Sequence, residues 1–124
     1  MKRIFLISIT TLICFIVEAQ ETEELPVFPG GTPSLHEFLR KNIVFPQRCK
    51  SDSSFSGCKV YVKFMVNEDG SISDPQIVKG CPKFDECDAE VLRVVSIMPK
   101  WIPAKRDNVP VKRSYSLPVS FKIN

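Results

Sequence analysis

The sequence predicts an α+β fold, two main helices packed on a three-stranded antiparallel sheet, and two kinds of periodicity predict it. Apolar residues recur at helical spacing around Leu35 and again around Val91. They alternate with polar residues in stretches beginning near Lys59, Ile72 and Val111, which is the signature of half-buried strands. A chain of 124 residues has room for one domain with a single modest core.

The first element is an export signal. Lys2 and Arg3 precede an apolar run from Ile4 to Val17, and Val17-Glu18-Ala19 offers small residues for cleavage, so residues 1–19 are expected to leave and Gln20 to become the first mature residue. A retained inner-membrane anchor is the alternative. The run holds Ser8, Thr10 and Thr11 and is short of the about 20 apolar residues a spanning helix needs. Acylation at Cys14 is disfavoured by the bulky Ile13 before it. Residues 20–31, acidic and then rich in Pro and Gly, form a short extended lead-in, and the domain proper occupies residues 32–124.

The first helix begins at Thr32-Pro33-Ser34, with proline tolerated in the first turn and Ser34 and Glu37 spaced as a capping box. Leu35, Phe38 and Leu39 share one face, and the helix stops near Asn42 because Phe45-Pro46 favours extended backbone. A short helical turn can follow Pro46. Val60, Val62, Phe64 and Val66 then form the inward face of a strand that turns through Asn67-Glu68-Asp69-Gly70 into a partner, Ile72 to Lys79, made irregular by Pro75. The second main helix runs from Glu86 to Met98 with Asp85 as N-cap, burying Cys87, Val91, Val94, Val95 and Met98. Pro99 ends it, and Trp101 to Pro103 lead into a polar loop, Lys105 to Asn108.

The closing strand has the strictest pattern. Val111, Tyr115, Leu117, Val119, Phe121 and Ile123 share one face, broken only by Arg113, while Lys112, Ser114, Ser116, Ser120 and Lys122 share the other. Pro118 lies on the polar face in the middle, which is acceptable only on an edge strand or at a bulge. One side of this strand is therefore expected to be unpaired.

Composition narrows the function. The formal net charge is +3, and the basic pairs Lys105-Arg106 and Lys112-Arg113 suit loop and strand ends; no basic stripe with interleaved aromatics points to nucleic acid. Of five cysteines, Cys14 leaves with the signal, and an even set remains in a chain sent to an oxidising compartment. Two disulfides are expected among Cys49, Cys58, Cys81 and Cys87. Three pairings exist, and the local ones, Cys49 with Cys58 and Cys81 with Cys87, are favoured because each closes a short loop beside a helix end. Each bridge would stabilise the fold by about 2–4 kcal/mol. No Cys-x-x-Cys pair exists and the single histidine, His36, is distant, so neither a zinc site nor a thiol oxidoreductase is expected.

Catalytic constellations fail in turn. His36 and Glu37 are helical neighbours that point apart. Asn67, Glu68, Asp69 and Asp74 lie in a tight hairpin without the glutamate an EF-hand requires. Gly30-Gly31-Thr32 follows no strand and lacks the P-loop lysine. No serine sits in a Gly-x-Ser-x-Gly elbow, and the acidic cluster Asp85, Glu86, Asp88 and Glu90 complements a helix dipole. A binding domain without catalytic residues, metal or cofactor is the expectation.

Four ordered blocks add to this: Phe45-Pro46, Lys59 to Ile72, Leu92 to Trp101 with Met98-Pro99-Lys100-Trp101 inside it, and Tyr115 to Phe121. Together with Val27 to Gly31 they resemble the C-terminal domain of TonB family energy transducers, over about residues 26–124. The resemblance implies an α+β domain, and a non-catalytic activity in which the domain captures the extended TonB-box peptide of an outer-membrane transporter by strand addition. It implies a peptide-binding set of Phe45, Pro46, Ser114, Tyr115, Ser116, Leu117, Pro118, Val119, Ser120, Phe121 and Lys122. Phe45-Pro46 stands where the family has a Tyr-Pro motif. Working transducers also carry an anchor helix with a functional histidine and a long proline-rich linker; residues 1–20 contain no histidine, and Gln20 to Val27 would span at most roughly 28 Å. The expected protein is a periplasmic peptide-binding domain associated with transmembrane transport, partnered by a transporter or another envelope protein. A membrane-tethered form would work with an ExbB and ExbD type motor. A structural homodimer paired through the free edge is the alternative from another class.

Overall fold

A computed structural model describes residues 22–122, so the expected export signal at 1–19 and Ile123 lie outside the described residues. In chain order the elements are β1 (Glu23–Glu24), α1 (Thr32–Asn42), α2 (Gln47–Ser51), β2 (Cys58–Val66), β3 (Ile72–Lys79), α3 (Asp85–Ser96), β4 (Ala104–Arg106), β5 (Val109–Val111) and β6 (Arg113–Phe121). Among the described residues the fold is mixed α+β, with three helices and two three-stranded antiparallel sheets rather than two helices on one sheet. No helix among the described residues is long and apolar enough to cross a membrane.

The larger sheet has the order β3-β2-β6. Its centre is β2, whose alternation buries Val60, Val62, Phe64 and Val66 to 1 % exposure or less and leaves Lys59, Tyr61 and Lys63 on the outer face. Leu117, Val119 and Phe121 of β6 point to the same core. Helix α3 covers that face with Cys87, Val91, Val94 and Val95, the positions its helical spacing predicts. Helix α1 adds Leu35, fully buried, with Phe38 and Leu39 packed against the same cluster.

The smaller sheet, β1-β4-β5, has no counterpart in the sequence reading, which takes Lys105 to Asn108 as a loop. Its hairpin turns at Asp107-Asn108, both at positive φ (51° and 67°), as a type I′ turn requires. Asp and Asn tolerate that region because their short side chains hydrogen-bond locally; here the Asp107 carboxylate accepts from the Thr22 backbone and hydroxyl. Strands of three residues interrupted by Pro110 carry too little alternation to be read in advance. Strand β1 pairs with β4, Val27 bridges Ile102, and Glu23 forms ion pairs with Arg106 and Arg113, so the lead-in is bound to the domain.

Helix ends also differ from expectation. Gly31, at φ 85°, occupies the N-cap of α1 and Ser34 makes no capping bond; Pro33 does sit in the first turn. Helix α3 starts one residue earlier than predicted, with Phe84 rather than Asp85 at the N-cap, and ends at Ser96 rather than Met98. The acidic first turn, Asp85, Glu86 and Asp88, still complements the helix dipole.

The cysteine pairing is corrected outright. The bridge joins Cys58 to Cys81, while Cys49 and Cys87 are unbridged and buried. Sequence proximity favours short loops, but Cys58 opens β2 and Cys81 follows β3, and the antiparallel pairing of these strands brings the two Cα atoms to 5.6 Å.

Gly70 closes the β2-β3 turn at φ 87°, and a Cβ there would lie 2.1 Å from the Trp101 carbonyl oxygen. Its own carbonyl accepts from the Trp101 N–H at 2.8 Å, which ties the turn to the segment after α3. Gly70→Ala combines an unfavourable φ with that collision and should cost at least about 1–3 kcal/mol. Urea unfolding of the two proteins measures it; unchanged midpoints would show that the Trp101 segment can move away freely.

Candidate functional site

The sheet order leaves two outer edges, and the sequence treats them differently. Strand β3 carries Pro75, Asp74 at φ 52° and two register shifts against β2, devices that bend an edge and interrupt its donors and acceptors. Strand β6 pairs with β2 without a shift, from Cys58↔Phe121 through Tyr61↔Pro118 to Val66↔Arg113. Among the described residues its other edge has no strand beside it.

Pro118 fixes which residues look outward. In an antiparallel ladder each residue directs its N–H and C=O to the same side, and successive residues alternate. A proline directed at β2 would break a ladder bond, so the even-numbered positions belong to the free edge. The other end of the strand agrees: the Phe121 carbonyl oxygen lies 3.0 Å from where a Cβ on Gly57 would stand, so Phe121 faces the chain leading into β2. Ser114, Ser116 and Ser120 thus offer outward N–H and C=O groups, Pro118 offers a carbonyl alone, and Tyr115, Leu117, Val119 and Phe121 are committed to β2. The side chains of the same four even positions are exposed.

Aromatic packing anchors this strand at both ends. Tyr115 lies 4.8 Å, ring to ring, from Trp101 and 5.8 Å from Phe64, in a cluster that Phe28 completes. Phe121 meets Phe45 edge-on at 5.8 Å, and Phe45 in turn meets Phe55. Such contacts add about 0.5–1.5 kcal/mol each beyond area burial. The free edge is therefore the outside of a strand held firmly from within.

Of the site residues expected from sequence, Ser114 to Phe121 lie on β6 and Lys122 follows it, exposed. Phe45 reaches the same strand through Phe121. Pro46 does not: it caps α2 and lines a separate groove of about 490 Å³ with Glu86, Ala89 and Arg93 of α3. The structure instead brings α1 to the edge. His36, Leu39, Arg40 and Ile43 line a groove of about 380 Å³ with Pro118, Val119 and Ser120. His36 lies three and four residues before Leu39 and Arg40 on one face of the helix, and Ile43 follows as its C-cap. The sequence shows that spacing, but nothing in it tells which strand the face borders.

A polar junction holds Phe45 in place. Glu90 accepts from the Val44 N–H at 2.7 Å and from Arg93 Nε and Nη2 at 2.9 and 2.7 Å; Arg93 Nη2 also donates to the Asn42 carbonyl at 2.7 Å. This ties the end of α1 to α3 and sets the direction in which Phe45 enters the core. The hydrogen bonds from Arg93 and from the Val44 backbone hold the Glu90 carboxyl below its usual range, against the opposing effect of burial. The lowered value means that Glu90 contributes stability above the ordinary carboxylate pKa, and that the contribution is lost as pH falls through the folded-state value. Glu90→Gln should lower stability by about 1–2 kcal/mol near pH 7, and the difference from the parent should shrink toward about pH 3. Denaturant midpoints at the two pH values check this; a gap that stays constant would contradict the ionic role.

With this geometry in place, comparison with known proteins is informative. No curated protein matches the chain. Residues 41–123, more than half of the sequence, match the Gram-negative bacterial TonB protein C-terminal family. The matched segment runs from the end of α1 past β6 and so includes the junction, the central hairpin and the free edge. The chain belongs to the TonB C-terminal domain family.

Proposed function

We propose that this protein is a periplasmic, non-catalytic binding domain that captures an extended peptide, of the TonB-box kind, from an outer-membrane transporter by adding it as a strand beside β6. The observation that carries the reading is the free edge of β6: an unshifted nine-residue strand whose outward donors and acceptors alternate with residues committed to β2. Backbone bonds to such an edge supply affinity, and alternate side chains supply selectivity. A peptide strand would lie about 4.8 Å from β6. Near Pro118 to Ser120 its side chains would meet the polar His36 and Arg40 and the apolar Leu39 of α1, and Ile43 at the end of that helix. Family membership supports a role in TonB-dependent transport across the cell envelope. Energy coupling through an ExbB and ExbD type motor belongs to a tethered form of the protein, and a mature chain beginning at Gln20 would rule that form out.

Ser116→Pro and Ser120→Pro each remove one outward N–H without touching the ladder to β2. Either should weaken binding of a TonB-box peptide about tenfold or more, the loss expected for a backbone hydrogen bond at an interface. Leu39→Ala should weaken it less. Calorimetric titration measures the affinities, and circular dichroism confirms folding. A folded edge-proline variant with full affinity would refute strand addition on this side. Sedimentation of the unliganded domain separates the competing reading: an obligate homodimer at micromolar concentration would mean that the edge pairs with itself.

A further inference from the structure

The sulfur atoms of four cysteines meet beneath the start of β2. Cys58 and Cys81 are bridged, and the Sγ of Cys87 lies within 4.8 Å of both. The Sγ of Cys49, from α2, lies 3.5 Å from that of Cys87, in α3, and both residues are completely buried. Two of the three sulfurs clustered around Cys58 are bonded to each other, so the group does not present the thiolates that a metal ion would need.

We infer that Cys49 and Cys87 are a second bridging site, and that the mature protein carries the disulfide pair Cys49–Cys87 and Cys58–Cys81. Disulfide formation requires the sulfurs to approach to about 2.05 Å, an approach of roughly 1.5 Å from the observed contact. Helix α2 is a single short segment, Gln47–Ser51, between two irregular stretches, and it can supply that movement. The partners are already aligned by neighbours. Arg48 donates to Glu86 at 2.6 Å and to the Lys83 carbonyl, and its guanidinium stacks 4.6 Å from the Phe84 ring centroid, holding α2 against the start of α3. On the other side the Asp88 carboxylate accepts from the Cys81 N–H at 2.8 Å, fixing the first bridge beside Cys87. A compartment that maintains one disulfide can oxidise this thiol pair as well.

The oxidant is a small-molecule or protein disulfide. One cysteine thiolate attacks it and releases one thiolate of the oxidant; the other cysteine then attacks the mixed disulfide and releases the second. Two electrons pass to the oxidant, which leaves as two thiols carrying the two cysteine protons. Burial and the contact with Cys49 push the Cys87 thiol up to about 12, so it does not attack from within the closed fold. The first thiol reacts when α2 lifts, and the second completes the bridge on reclosure. The product would lock α2, and with it the Phe45 contact with Phe121 of β6, onto α3.

Peptide mapping of the full exported chain tests this. The protein is equilibrated with oxidised glutathione, denatured in an alkylating agent and digested without reduction. Expected are no alkylated mature cysteines, a Cys49 peptide linked to a Cys87 peptide, and Cys58 linked to Cys81. Alkylated Cys49 and Cys87, or Cys87 linked to Cys58 or Cys81, would overturn the assignment. The variant Cys49→Ser/Cys87→Ser separates crosslinking from packing. Unreduced, its Tm should lie roughly 5–15 °C below that of the parent. After full reduction of both proteins most of that gap should close, and a gap that persists unchanged would contradict a covalent role.

Discussion

The unshifted pairing of β2 with β6 is the contact on which the remaining structure depends. It joins the end of the domain to its centre over nine residue pairs, from Cys58↔Phe121 to Val66↔Arg113. Because side chains alternate with period two, this one register decides that Leu117, Val119 and Phe121 enter the core and that Ser114, Ser116 and Ser120 stay outside. A slip of one residue would exchange the two sets. It would also direct Pro118 toward β2, where it has no N–H to donate. Core formation and the identity of the outward backbone groups are thus settled by the same constraint.

The supports of β6 lie far apart in sequence. Phe28 and Trp101 brace Tyr115 at one end, while Phe45, steered by the Glu90–Arg93 junction, braces Phe121 at the other. The smaller sheet binds the lead-in to the chain just before β6, and Glu23 reaches Arg113 at the first residue of the strand. A strand buried on one face and paired on one edge keeps its shape while the remaining edge is free, a preorganisation that lowers the ordering cost of recognition. The second edge of the sheet, at Pro75 and Asp74, is broken up, so the molecule offers one long regular edge where it could have offered two.

Much of this was legible in the sequence, and the gaps have physical causes. Strong periodicity revealed β2, β3, α1, α3 and β6, and one misplaced proline marked β6 as an edge before any neighbour was known. The hairpin at Asp107-Asn108 escaped because three-residue strands show no period, and its turn lacks glycine. The cysteine pairing escaped because loop length is a weak guide: Cys58 and Cys81 are 23 residues apart, yet antiparallel strands bring them together. The cap of α1 differs from the Ser34 expectation because Gly31, at positive φ, starts the helix, a backbone conformation that residue spacing does not reveal. At the edge itself, sequence identified the strand but not the α1 face, His36 to Ile43, beside it. Which helix borders which strand is a tertiary fact with no local signature.

Amide hydrogen exchange along β6, with and without a TonB-box peptide, tests the central claim most directly. In the free domain the amides of Ser114, Ser116 and Ser120 should exchange quickly while those of Tyr115, Leu117 and Val119 are protected; bound peptide should protect the first set and leave the second unchanged. Protection of Ser116 and Ser120 already present in the monomeric free domain, or no change there while the peptide is bound, would contradict capture by strand addition at this edge.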